Sequence, residues 1–201
     1  MTDSQAGPLT QKRAIGLPIF LIIAGLIGFW AAFTLVIEKL AVLSDPNASL
    51  SCNINPTITC GKNLMSWQGS LFGFPNPLIG IVCWGIVIVV AVSLLAGARF
   101  PRWYWLLFNL GFVFALAFVI FLIDQSIFSL GTLCIYCMVT WAVTIPSFLL
   151  VTLRNLRTYG RGGVKRFADA LYSWVPVITL ACYLVVAILA QLQLDIIGLL
   201  F

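Results

Sequence analysis

Four cysteines in two pairs are the residues of this chain best suited to chemistry. Cys134 and Cys137 form a Cys-x-x-Cys motif at the start of an apolar segment, and Cys52 and Cys60 lie in a long polar loop. Two thiols at positions i and i+3 of a helix point the same way, so they can close a disulfide and reopen it. The two pairs together indicate thiol–disulfide redox chemistry with an electron path between them.

The composition of this chain is typical of a membrane protein. Of its 201 residues, 62% are hydrophobic and 8% are charged, whereas soluble domains carry about 25% charged residues. Five apolar stretches approach or exceed the roughly 20 residues that cross a bilayer. They predict one all-α, polytopic membrane domain over residues 1–201, with spans at 17–42, 77–97, 103–123, 130–153 and 174–194.

The basic residues predict how these spans are oriented. Nine Lys and Arg residues flank the spans on one side, and only Lys39 and Lys62 fall on the other. Cytoplasmic loops carry the excess of Lys and Arg, so we expect the N-terminus inside and the C-terminus outside. This excess also accounts for the net charge of +5, so no nucleic-acid partner is expected. Both cysteine pairs, and the loop 44–76, then face the side where disulfides persist.

The predicted fourth span places its two thiols at different depths. At 1.5 Å per residue, Cys134 lies at the outer interface and Cys137 about 4.5 Å deeper. The outer thiol would then meet a loop cysteine, and the inner one would face a lipid-soluble electron acceptor such as a quinone. N–H groups of the first helical turn, with Ser129 or Thr132 as caps, should stabilise a thiolate there.

The loop that carries the other pair has its own pattern. Seven residues, most of them polar or turn-forming, separate Cys52 from Cys60, which is typical of a mobile disulfide-bearing loop. Residues 64–74 are apolar but too short to span, so they are expected on the membrane surface or at the mouth of the bundle. Asn76 followed by Pro77 predicts an N-cap and first residue for the second span.

Each cysteine pair also has a structural interpretation. The loop pair alone would more often be a structural disulfide, and the Cys-x-x-Cys pair alone could be two small buried hydrophobes. Their coincidence on one side of the membrane disfavours both. The wide spacing of the loop pair disfavours a four-cysteine zinc site, so no metal is predicted. Cys83 and Cys182 stand alone inside spans and are expected to pack, and small residues such as Gly28 and Gly80 should allow close helix contacts.

The motifs follow one another in a fixed order along the chain, which is Cys52, Cys60, Ser66, Gly69, Phe72, Gly73, Asn76, Cys134 and Cys137. This order resembles the vitamin K epoxide reductase family, and its bacterial branch in particular. The resemblance covers about residues 16–153. It implies a four-helix bundle around a quinone, with a fifth helix supplied by 174–194. Some relatives continue into a thioredoxin-like domain, but this chain ends at Phe201, so a separate thioredoxin-fold partner of DsbA type is expected.

The resemblance also implies a direction of electron flow. Partner thiols would attack the loop disulfide at Cys60, and Cys52 would pass the electrons to Cys134. Cys137 would lie against the quinone ring. The implied cofactor site consists of Asn76, which would hydrogen-bond a quinone carbonyl, together with Ser66, Phe72 and Trp141.

Trp141 departs from one part of the family pattern. Human-type members have a tyrosine four residues after the second active-site cysteine, and tryptophan cannot offer its phenolic hydroxyl. This departure favours menaquinone or ubiquinone as the cofactor over vitamin K epoxide. The implied function is a quinone-dependent thiol–disulfide oxidoreductase of the bacterial cytoplasmic membrane. The alternatives are a vitamin K epoxide or quinone reductase proper, a DsbB-like enzyme, in which the Cys-x-x-Cys pair precedes the loop pair, and a non-enzymatic scaffold.

Overall fold

Long apolar helices dominate the fold. The structure, a computed structural model, describes residues 15–45, 48–55 and 57–194. Within these ranges, five helices are long and apolar enough to cross a membrane. The predicted all-α, polytopic architecture is therefore confirmed. The long helices are α1 (Gly16–Ser44), α3 (Pro77–Ala96), α4 (Arg102–Asp124), α5 (Ile135–Tyr159) and α6 (Gly163–Leu194), with a short α2 (Gly61–Met65) in the first loop.

Two helices begin at positions that differ from the prediction. A π-helical segment, Gln125–Leu130, continues α4, and Gly131 then adopts a left-handed backbone with φ of 64°. This conformation ends the segment, so α5 begins at Ile135 and not at residue 130. α6 begins at Gly163, well before the predicted residue 174, because its basic first turns are helical although they are not apolar.

Small residues determine how closely the helices pack. α5 packs against α1, α4 and α6, and α1 also packs against α3. A Cβ atom added to Gly28 would lie 2.3 Å from the Trp84 ring, and one added to Gly80 would lie 2.9 Å from the Ala32 Cβ atom. The prediction that small side chains permit close helix contacts is confirmed at both positions.

The variant Gly28→Ala tests this packing. Its methyl group would overlap the buried Trp84 ring, so we expect the free energy of unfolding to fall by about 1–3 kcal/mol. Thermal unfolding in detergent micelles measures the change. Gly85→Ala is the matched control, because a Cβ atom there meets nothing within 4 Å and alanine favours the helix. Equal losses of stability in the two variants would contradict the packing argument.

The first loop is folded against the end of the bundle at which α5 begins. The Thr59 N–H donates to the Leu133 carbonyl at 3.0 Å, and the Leu133 N–H donates to the Thr57 carbonyl at 2.8 Å. Lys39 of α1 donates from Nζ to the Leu64 carbonyl at 2.5 Å. These bonds hold the loop between α1 and the segment before α5. Within the apolar piece 64–74, Leu64 is buried, whereas the other large apolar side chains are exposed.

The consecutive helices α3 and α4 leave space between them. In the described chain, α3 packs along α1 and α4 packs along α5. Gly97, with φ of 104°, ends α3 and turns the chain toward α4. The space bounded by α3, α4 and their neighbours is a cavity, and the folded loop contributes to its wall.

Candidate functional site

The four predicted redox cysteines meet where the loop contacts the start of α5. Cys52 and Cys60 form a disulfide, and the Cys60 Sγ atom lies 2.9 Å from the Cys134 Sγ atom. Cys134 and Cys137 are free thiols, and Cys137 packs against the buried cluster that contains Cys134. Neighbouring sulfurs therefore run in the order Cys52, Cys60, Cys134 and Cys137.

Three of these sulfurs belong to side chains that solvent does not reach. Cys52, Cys60 and Cys134 are 1%, 0% and 0% exposed. They are packed among apolar side chains of α1, the loop and α2, which are Leu35, Val42, Leu50 and Leu64. In this closed arrangement the sulfurs are placed to exchange with each other, and an external thiol has no access to the loop disulfide.

Cys134 occupies the N-cap position before α5, so the Cys-x-x-Cys motif is only partly helical, whereas the prediction placed all of it in the helix. Its backbone is extended, with φ of −103° and ψ of 122°, and Cys137 lies in the first turn. The hydrogen bond from the Cys137 side chain lowers the pKa of the Cys134 thiol, and backbone N–H groups of Cys137 and Tyr136 add to this effect, against the opposing effect of burial. The backbone N–H groups of the first turn thus contribute to the lower pKa of Cys134, but the Cys137 side chain contributes more.

Neither of the predicted capping residues, Ser129 and Thr132, caps α5. Among the described residues, Cys134 is the N-cap residue of α5, and its side chain makes no capping hydrogen bond. Thr132 instead accepts a hydrogen bond at its Oγ1 from Asn63 Nδ2 at 3.2 Å. Ser129 is exposed, within the π-helical segment that precedes Gly131. Thr132 thus joins α2 to the approach of α5 and does not cap the helix.

A hydrogen-bonded group that the sequence patterns did not predict ties the loop to α1 and α5. The Glu38 carboxylate accepts from the Ser51 N–H at 3.1 Å and from the Ser51 hydroxyl at 2.5 Å. Ser51 Oγ lies 2.9 Å from the Tyr136 hydroxyl. Ser51 directly precedes Cys52, and Tyr136 lies between the cysteines of the Cys-x-x-Cys motif. We call Glu38, Ser51 and Tyr136 the loop latch.

One sequence signal could have indicated the latch. Glu38 and Lys39 are adjacent charges within an otherwise apolar span. Ionisable side chains in membrane-spanning segments are costly, and they commonly have a bonded partner and a function. Both are buried here, and each binds the loop that carries the cysteines.

A cavity of about 850 Å³ lies beside Cys137. Its volume is in the range of small-molecule sites, about 300–1,000 Å³, and its wall is mostly apolar. Three predicted cofactor residues, Ser66, Asn76 and Trp141, line it together with Cys137. The structure thus brings the inner thiol and these residues to one site. Cys83, expected only to pack, also lines the wall.

Phe72 is the predicted cofactor residue that does not line the cavity. Its side chain is 49% exposed. The Phe72 ring contacts the Phe118 ring, with 6.0 Å between their centroids, and Phe118 does line the cavity. Phe72 therefore supports the wall from outside, because the loop turns its ring away from the interior.

Asn76 is a polar residue of the cavity wall, and one of its two side-chain N–H groups is not used in the bonds among the described residues. Its Nδ2 donates to the Gln68 carbonyl at 2.6 Å, and its Oδ1 accepts from the Leu71 N–H at 3.1 Å. A carboxamide carries two N–H donors, and the second makes no bond within residues 15–45, 48–55 and 57–194. Asn76 precedes α3 as predicted, with Pro77 at its start, but makes no side-chain capping bond.

Ser66 shapes the wall through bonds within the loop. Its hydroxyl donates to the Asn63 carbonyl at 2.8 Å and accepts from the Gly69 N–H at 3.2 Å. These bonds cap the 3-10 turn Trp67–Ser70. Ser66 therefore borders the cavity as expected, with its hydroxyl already engaged.

Comparison with known proteins agrees with this arrangement. The model of the vitamin K epoxide reductase family matches residues 19–152, about two thirds of the chain. No curated protein matches the chain. The matched range includes both cysteine pairs and the residues that line the cavity. Because the match covers the redox cysteines, the cavity and the helices that position them, the chain belongs to the vitamin K epoxide reductase family.

Proposed function

We propose that the protein is a quinone-dependent thiol–disulfide oxidoreductase that reoxidises a thioredoxin-fold partner of DsbA type and so supports disulfide formation. The family consists of oxidoreductases, and the five apolar helices indicate a multi-pass membrane protein. The observation that carries the proposal is the 2.9 Å contact between the Sγ atoms of Cys60 and Cys134. This contact connects the loop disulfide to the pair beside the cavity.

The geometry favours a different order of the loop cysteines from the one implied by the resemblance. Cys60 is the loop sulfur in contact with Cys134, so we assign internal exchange to Cys60 and partner attack to Cys52. A partner thiolate forms a mixed disulfide with Cys52 and displaces Cys60 as a thiolate. Cys60 then attacks Cys134 of the oxidised Cys134–Cys137 pair, and Cys137 leaves as a thiolate.

Two further exchanges complete the transfer. The second partner thiol attacks the mixed disulfide, which releases oxidised partner and the Cys52 thiolate. Cys52 attacks Cys60, the loop disulfide reforms, and Cys134 leaves as a thiolate that the Cys137 thiol stabilises. The reduced Cys134–Cys137 pair gives two electrons and two protons to a quinone, which becomes the quinol, and the pair closes again as a disulfide.

The residues around the cavity fit a quinone ring. The wall is mostly apolar, Cys137 reaches it, and the second N–H of Asn76 is available to a carbonyl oxygen. Trp141, 5% exposed, adds a flat surface without a phenolic hydroxyl. We therefore propose menaquinone or ubiquinone as the electron acceptor, which the bilayer supplies.

We also propose that the cysteine end faces the extracytoplasmic side of a bacterial cytoplasmic membrane. Basic side chains gather at the opposite end, where Arg102 and Arg154 lie over the Tyr159 ring and Arg157 lies over the Tyr172 ring. The positive-inside rule assigns that end to the cytoplasm. The cysteines then face the compartment in which disulfides form.

Electron transfer by the purified full chain tests the proposal. The protein is mixed with a reduced DsbA-type protein and a short-chain quinone, and the absorbance of the quinone is followed. We expect turnover that requires both substrates, with Cys134→Ala inactive as the control. Failure of the oxidised protein to accept electrons from any reduced thioredoxin-fold protein tried, with thiol labelling of Cys134 and Cys137 unaffected by quinone, would favour a scaffold.

The loop latch should govern access of the partner, because Cys52 is buried until the loop opens. Tyr136→Phe removes the hydroxyl that bonds Ser51, and one such bond corresponds to a factor of about two to ten. Opening becomes easier while the closed state needed for internal exchange is less populated. We expect KM for the reduced partner to fall by about two- to tenfold and kcat to fall by less, because the closed state stays the major one.

Steady-state kinetics with varied partner concentration measure both constants. Tyr172→Phe is the matched control, since Tyr172 stacks with Arg157 at the opposite end and a phenylalanine ring keeps that contact. A lower kcat together with a higher KM in Tyr136→Phe would show that the hydroxyl serves stability alone.

A further inference from the structure

Gln68 is a buried polar residue of the cavity wall to which the proposed electron path assigns no role. It lies in the 3-10 turn Trp67–Ser70, is 4% exposed and lines the cavity. Its Nε2 donates to Gln125 Oε1 at 3.2 Å. Its Oε1 is buried and has no hydrogen-bond partner among the described residues. Buried acceptors without partners are costly and rare in native proteins, which points to a hydrogen-bond donor on a ligand.

The Asp124 carboxylate determines which atom of the Gln68 amide stays unpaired. Gln125 Nε2 donates to Asp124 Oδ2 at 3.1 Å. With its Nε2 bonded to this carboxylate oxygen, Gln125 turns its own amide oxygen toward Gln68. Gln68 must then offer its Nε2 to Gln125. The unpaired end of this three-residue chain is therefore an acceptor and not a donor.

We propose that Gln68 accepts a hydrogen bond from a hydroxyl of the quinol, so that the cavity binds the reduced ligand more tightly than the oxidised one. The inference rests on the proposed quinone chemistry. A quinone offers only carbonyl acceptors, which Gln68 Oε1 repels, whereas a quinol offers two hydroxyl donors. Because Oε1 is fully buried, the contact forms through a small turn of the amide toward the ligand.

Asn76 and Gln68 thus divide the recognition of the ligand. The second N–H of Asn76 can pair with an oxygen atom of either redox form, since carbonyl and hydroxyl oxygens both accept. Gln68 pairs only with a hydroxyl hydrogen. Tighter binding of the quinol favours reduction of the bound ligand by the Cys134–Cys137 pair, and a tenfold preference corresponds to a rise of about 30 mV in its reduction potential.

Binding measurements on the full chain test this preference. Cys134 and Cys137 are replaced by serine so that the ligand keeps its redox state, and a short-chain ubiquinone and its quinol are titrated separately without oxygen. We expect Gln68→Leu to weaken quinol binding by about five- to tenfold and quinone binding by less than about twofold. Gln193→Leu, an exposed residue of α6, makes the same chemical change away from the cavity and should alter neither value.

Asp124→Asn tests the direction of the hydrogen bonds that link Asp124, Gln125 and Gln68, and it leaves Gln68 in place. An asparagine can donate as well as accept, so both glutamine amides are free to turn and the preference for quinol should fall toward one. Equal weakening of both ligands by Gln68→Leu, or an unchanged preference in Asp124→Asn, would overturn the inference and leave the proposed function standing. If the parent protein binds neither ligand, both fail. Asp124→Asn decides the question if Gln68→Leu does not fold.

Discussion

Replacement of Cys137 by alanine is expected to abolish quinone reduction and to trap a disulfide between Cys60 and Cys134. Cys137 is the redox cysteine that lines the cavity, so its loss removes the only proposed contact between the thiols and the electron acceptor. The Cys134 thiol remains 2.9 Å from the Cys60 sulfur and can attack it, with Cys52 as the leaving group. Without Cys137, no thiol beside the cavity can break the Cys60–Cys134 disulfide, so turnover should fall by roughly a thousandfold or more.

Quinone absorbance measures the loss, and non-reducing peptide mapping by mass spectrometry identifies the trapped bond. Cys182→Ala is the matched control, because Cys182 lies on α6, where no described contact joins it to the other cysteines, and turnover should stay within about twofold. Appreciable quinone reduction by Cys137→Ala would remove Cys137 from the electron path. A Cys52–Cys134 bond in its place would restore the order implied by the resemblance.

A partner with a single cysteine is expected to become linked to Cys52 of the oxidised protein, with Cys60 joined to Cys134 in the same molecule. Such a partner cannot resolve its own mixed disulfide, so Cys52 cannot return to Cys60. The displaced Cys60 thiolate instead attacks its neighbour Cys134, from which it is separated by 2.9 Å in the closed loop. Each protein molecule should therefore carry two new disulfides and one free thiol at Cys137.

Peptide mapping without reduction identifies the partner–Cys52 and Cys60–Cys134 disulfides in one measurement. The fraction of linked chains that contain the Cys60–Cys134 bond should approach one when the chain is fully oxidised at the start. The Cys134→Ala variant is the control, since its adduct on Cys52 should form but remain reversible through Cys60. A partner linked to Cys60, together with a Cys52–Cys134 bond, would reverse the assigned roles of the loop cysteines.

The helices could be predicted because the bilayer imposes a simple requirement on the sequence. Backbone polar groups in hydrocarbon must bond internally, so each sufficiently long apolar stretch forms a helix. The ends were harder to predict. The first part of α6 is basic, and its Asp169 forms an ion pair with Arg157 of α5 at 2.7 Å. A hydropathy scale assigns such charged residues to a loop.

The candidate site was predictable as a set of residue types and only partly as an arrangement. Cysteine spacing, together with the positive-inside rule, placed four thiols on one side. Ser66, Asn76 and Trp141 line the cavity beside Cys137 as the resemblance implied, while Phe72 faces away from it. The direction of a loop side chain depends on how the loop folds, and no periodic pattern in a loop reports that direction.

The sequence by itself determined the long apolar helices, the family and the four cysteines proposed for redox exchange, because each follows from local composition or from spacing along the chain. Only the tertiary structure decided that Cys60 contacts Cys134, that Glu38, Ser51 and Tyr136 hold the loop, and that Gln68 carries an unpaired acceptor. These features depend on hydrogen bonds between residues far apart in sequence. Their geometry is set when the loop closes on α1 and α5, and that closure depends on packing that local patterns do not encode.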